Sequence, residues 1–63
     1  MTKSDKENWL INIENTAAEV ADMYGYKVVE SVFQRFQAKC IEELNPSDYP
    51  AVFSELYAIE VDN

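Results

Sequence analysis

A chain of 63 residues with twelve acids, five bases and no histidine carries a net charge of −7. That balance repels nucleic acid and anionic lipid and attracts basic protein surfaces. A single cysteine excludes an internal disulfide, and the missing histidine removes the usual neutral-pH base and the partner of a thiol nucleophile or mixed zinc site.

One domain spanning 1–63 is expected. At this size only about 60% of the unfolded chain's surface is buried on folding, so the core depends on close helix packing or self-association. Eight aromatics within 48% hydrophobic residues supply enough apolar material for a core and exclude disorder. The polar start of the chain has no apolar signal region after it, no run approaches the roughly 18 apolar residues of a membrane span, and the lone thiol suits a reducing compartment. Cytoplasm is the expected location.

The first element is expected over about 5–24. Ser4-Asp5-Lys6-Glu7 has the S-x-x-E form of a capping box. Trp9, Ile13, Ala17, Val20 and Tyr24 follow one face at helical spacing, with Leu10, Thr16 and Ala21 on its flanks. Gly25, the single glycine, stands where a left-handed residue would end the helix. The segment 26–37 is rich in Val and Phe, yet its spacing is helical: Val29, Val32, Phe33 and Phe36 share one face, opposite Lys27, Glu30, Ser31 and Gln34. It runs antiparallel to the first helix.

An irregular connector follows over 38–47, pinned by Ile41 and Leu44. Asn45-Pro46-Ser47-Asp48 is a turn-and-cap cluster with Ser47 or Asp48 as the N-cap of a third helix, expected over 48–59. Pro50 suits its first turn. Tyr49, Val52, Phe53, Leu56, Tyr57 and Ile59 form its apolar face. Residues 1–3 and 60–63 are expected to fray. The fold class is all-α, a compact three-helix bundle.

Charge is unevenly placed. All five bases precede Cys40, and the last 24 residues hold six acids and no base. On the third helix Asp48, Glu55 and Asp62 fall on one stripe between Ala51, Ser54 and Ala58. Glu60 lies in the middle of the apolar face if the helix continues, a costly place for a charge. Either the helix ends near Ala58 to Glu60, or Glu60 meets a basic residue of a partner. Trp9, early in its helix and half covered, and Ile11, on the polar side, are candidate contacts beyond the bundle. The candidate partner-binding residues are therefore Asp48, Glu55, Asp62, Glu60, Trp9 and Ile11.

No catalytic, cofactor or metal residues can be assigned, and no cofactor or small-molecule substrate is expected. Cys40 falls in line with Val29, Val32, Phe33 and Phe36 and reads as a packed thiol. Glu42 and Glu43 are adjacent in a connector and do not flank a cleft, as a glycosidase pair must. The stretch from Asn45 to Glu55 lacks the alternating ligands and central glycine of a calcium loop. Helix-turn-helix recognition needs basic residues on the reading helix, and the third helix has none.

The stretch Ile41-Glu42-Glu43-Leu44-Asn45-Pro46-Ser47-Asp48-Tyr49, continuing from Val52 to Glu60, resembles small acidic accessory proteins carried by mobile elements (conjugative transposons and prophages) of Gram-positive bacteria. The likeness extends back to Tyr24-Gly25. It implies an accessory protein that acts by binding another protein, and no site residue transfers from it. The expected function is a non-catalytic, acidic protein-interaction module whose partner is a basic protein surface or a second copy, without direct contact to nucleic acid or membrane. The alternative is a DNA mimic that inhibits a nucleic-acid-binding enzyme. A DNA-binding regulator ranks behind both.

Overall fold

Three helices account for most of the chain in a computed structural model that describes residues 2–62: α1, Lys3–Tyr24; α2, Tyr26–Arg35; and α3, Tyr49–Val61. The all-α three-helix fold is as expected. The molecule measures 33 × 21 × 14 Å, its long axis matching the 22 residues of α1 at about 1.5 Å each. Trp9 meets Phe53 and Glu19 meets Glu60, so α1 and α3 run in the same direction, and α2 returns between them.

The boundaries correct the sequence reading in ways that each have a local cause. Helix α1 begins earlier than residue 5, because Thr2 rather than Ser4 is its N-cap. The Thr2 hydroxyl oxygen accepts from the Asp5 amide at 3.1 Å, and Lys6 N–H reaches the Thr2 carbonyl at 3.0 Å. Asp5 in the first turn complements the positive end of the helix dipole. Lys3 is therefore helical rather than frayed; Met1 and Asn63 lie outside the described residues.

Gly25 joins α1 to α2 alone. Its φ of 96° and ψ of 154° lie not in the left-handed helical well but in a region essentially reserved for glycine. A Cβ there would touch nothing, so the requirement is purely one of backbone.

Helix α2 stops at Arg35, short of residue 37, because Gln37 turns left-handed at φ 61°. The Ala38 amide donates to the Phe33 carbonyl at 3.1 Å and the Gln37 amide to the Gln34 carbonyl at 3.0 Å. These are the two bonds of a Schellman motif, and the accompanying apolar contact comes from the buried residues Ala38 and Phe33.

The connector is more regular than expected. It holds two 3₁₀ turns, Ile41–Glu43 and Pro46–Asp48, with Leu44 buried and Ile41 half-buried as its pins. The Glu43 carboxylate accepts from the Lys39 amide at 3.2 Å, so one member of the adjacent acidic pair secures the loop. Asp48 is the N-cap position of α3, one of the two expected, but the side-chain cap lies one turn earlier, at Asn45, which caps Pro46–Asp48. Asn45 Oδ1 accepts from the Ser47 amide at 3.0 Å and from its hydroxyl at 2.9 Å. Asp48 makes no side-chain cap bond, because the turn Pro46–Asp48 already carries the chain into α3.

The core comprises Ile13, Val20, Val29, Val32, Phe33, Ala38, Leu44, Tyr49, Val52 and Leu56. Among the described residues Thr16 is the one buried polar residue, at 7% exposure, and no buried side-chain nitrogen or oxygen lacks a hydrogen-bond partner. Helix α3 continues through Val61, past the expected end at 59. The continuation is possible because Glu60 stands at the edge of the α1–α3 contact, only half-buried.

Candidate functional site

Helix α3 is apolar nearly all round: within Tyr49–Val61 only Ser54, Glu55 and Glu60 are polar. A helix in a three-helix bundle buries one face, so such a composition leaves apolar side chains outside. Val52 and Leu56 take the core positions. Phe53, Tyr57 and Val61, four residues apart, form the adjoining stripe. Phe53 is half-buried, whereas Tyr57 is 51% and Val61 57% exposed. The assignment of Tyr57 to the buried face is thus corrected: it lies beyond the reach of α1.

On α1 the neighbour of this stripe is Trp9, also half-buried. Its ring meets Phe53 edge-on, with centroids 5.9 Å apart and planes at 66°. Phe53 in turn stacks on Tyr57 at 5.8 Å and 18°. These offset and edge-to-face arrangements are the favoured geometries of aromatic pairs. The result is an ordered ladder of three rings along the α1–α3 seam, with its outer ring in solvent.

Polar groups rim the ladder. Beside Trp9 lies a depression of about 360 Å³ lined by Asp5, Asn8 and Asn12. At the other end of the seam Glu60 faces Glu19. Its pKa is raised, first by the hydrogen bond with the Glu19 side chain, then by desolvation and by repulsion from the Glu19 charge. Ionising Glu60 sets its charge against that of Glu19 within hydrogen-bonding reach, so the charged form is disfavoured there. No lysine or arginine from the described residues bridges the pair: among these residues the one ion pair is Arg35–Glu55.

The six sequence-derived candidates separate accordingly. Trp9 and Glu60 lie on the same seam, towards its two ends. Ile11 is 53% exposed on the outer side of α1, away from both. Asp48, Glu55 and Asp62 keep to a different side of α3, where Arg35 of α2 neutralises Glu55; the middle of that stripe is committed within the chain. Residues missed by the sequence reading are Tyr57, Val61 and Glu19. The available signal was the composition of α3, which has more apolar residues than one buried face can absorb.

A second concavity lies on the other flank of α1, facing α2 and the connector. It measures about 360 Å³, and Ala17, Ala21, Val29, Phe33 and Cys40 line it with Ile41. Cys40 is half-buried, in keeping with a packed thiol. No cluster of potential metal ligands occurs among the described residues, and no helix there is long and apolar enough to cross a membrane. No protein-family model matches the chain, and the searches of curated proteins and of solved structures return no significant match.

Proposed function

We propose that this protein is a non-catalytic, acidic protein-interaction module that docks through the α1–α3 seam onto a basic surface of another protein. The observation that carries the reading is the half-exposed ladder Trp9–Phe53–Tyr57 ending at the Glu19–Glu60 pair. Ordered aromatic rings with a polar rim are the composition of interface centres. A partner lysine or arginine placed between Glu19 and Glu60 converts a repulsion within the free protein into two attractions. A second copy of the chain would instead add seven more negative charges, which favours a basic partner over self-association.

The setting is an accessory role in a mobile element, in the cytoplasm, as the resemblance of residues 41–60 and the lone thiol suggest. DNA mimicry is the second reading, favoured by the base-free C-terminal third. The test is affinity capture with the wild type, Tyr57→Ala and Glu60→Lys. The proposal expects a basic protein retained by the wild type, weakened at least about tenfold by either substitution, as befits an interface centre, and released by salt. Equal retention by all three overturns the seam as the docking face. Competition by duplex DNA for the same captured protein selects the mimic reading.

A further inference from the structure

The flank of α1 opposite the seam carries a second concave surface. Leu10, Glu14, Ala17 and Ala21 follow one another at spacings of four, three and four, a straight helical wall about 16 Å long at 1.5 Å per residue. The 3₁₀ turn Ile41–Glu43 forms the facing wall. The concavity of about 360 Å³ over Ala17 and Ala21 adjoins a second of about 270 Å³ over Leu10, Leu44 and Tyr49, which Lys6 also lines. Glu14, Ile41 and Glu42 border both, so the two form one furrow with an apolar floor and a carboxylate on each bank at its middle. The two carboxylates outnumber one base along the furrow. Neither Glu14 nor Glu42 has an ion-pair partner among the described residues. Glu43 is occupied by the Lys39 amide, whereas its neighbour Glu42 stands exposed on the rim.

We propose that this furrow holds an amphipathic basic helix of a partner protein. Small residues on the wall, Ala17 and Ala21, let a helix backbone approach closely, and the heptad-like spacing matches apolar anchors placed every three or four residues on the incoming helix. The carboxylates set its polar chemistry: lysine or arginine beside the central anchor meets Glu14 on one side and Glu42 on the other. An acidic helix would be repelled there, and a neutral one would leave both charges beside apolar surface. The furrow goes beyond the seam reading, because it lies on the opposite flank of α1 and shares none of its residues.

Cys40 lines the furrow and Trp9 lies on the seam, so one thiol and one indole report on the two surfaces separately. The probe is a synthetic three-turn helical peptide with leucine at the anchor positions and lysine elsewhere. Two controls accompany it: the same composition scrambled to destroy the apolar face, and a version with glutamate for lysine. The furrow reading expects the lysine helix, at about ten times its Kd, to slow alkylation of Cys40 by iodoacetamide about tenfold by mass action. Amide NMR shifts should centre on Ala17, Ala21, Cys40 and Ile41, with neither control acting. Glu14→Gln/Glu42→Gln, at two exposed positions, should lose the protection with the fold unchanged by circular dichroism. Protection by the scrambled peptide, persistence in the double variant, or binding that shifts Trp9 emission and leaves Cys40 unprotected overturns the furrow reading. The last of these outcomes leaves the seam reading standing.

Discussion

Two residues with positive φ show that identity and geometry need not coincide. Gly25, at φ 96°, holds a conformation that costs other residues about 1–3 kcal/mol. Gly25→Ala is expected to destabilise by that amount although the added methyl meets nothing, as denaturant unfolding would show. Gln37, at φ 61°, bears the left-handed penalty that glycine avoids. Gln37→Gly should stabilise by about 0.5–1 kcal/mol, the relief of strain exceeding the entropy glycine adds to the unfolded chain. The sequence marked the first site by its only glycine and hid the second behind an ordinary side chain. Capping was hidden similarly. Thr2, Ser4, Asn45, Ser47 and Asp48 are all competent caps, and hydrogen bonds from neighbouring amides choose among them. Asn45→Ala should therefore cost about 1 kcal/mol, the usual loss of an N-cap, and Asp48→Ala only a few tenths, because its side chain bonds no amide.

At the scale of the element, α3 has two tasks that its sequence does not separate by residue type. Leu56 and Tyr57 are neighbours, yet Leu56 is fully buried and Tyr57 half in water. Leu56→Ala is expected to cost about 2–5 kcal/mol, the range for emptying a core site; Tyr57→Ala should cost far less and act on binding instead. Periodicity identified the face of α3 correctly at Tyr49, Val52 and Leu56. It could not tell where that face ends, because Phe53 and Tyr57 continue it without a polar break, and the edge is set by the reach of α1. The same limit governed Glu60. The sequence put it in the middle of the apolar face, whereas the fold leaves it half-buried at the edge of the α1–α3 contact beside Glu19, a neighbour too distant in sequence to be legible. Since the folded state raises the pKa of Glu60, the pair's contribution is most favourable below the ordinary carboxylate pKa and is lost as pH rises through the raised value. Glu60→Gln should accordingly raise Tm at neutral pH, with the difference shrinking as acid protonates the wild type. A difference independent of pH would contradict this origin.

For the molecule as a whole, the surplus of acid is divided among different surfaces. Arg35 takes up Glu55 and the connector takes up Glu43. Being exposed at the arginine, the Arg35–Glu55 pair should contribute no more than about 1 kcal/mol in a double-mutant cycle. Glu19 with Glu60, and Glu14 with Glu42, are left beside apolar surface on opposite flanks of α1, where a charged group costs least when a partner's base meets it. Helix number, order and most of the core followed from spacing alone. The proposed docking surfaces did not, because each is assembled from residues of two or more elements and becomes visible only once α1 and α3 are side by side. The central claim is that the seam is the docking face, and the single tryptophan sits within it. The most direct measurement is the emission of Trp9 as the captured partner is titrated in. Burial of the half-exposed indole predicts a saturable shift to shorter wavelength, diminished in Glu60→Lys; saturated binding with unchanged Trp9 emission would contradict the account.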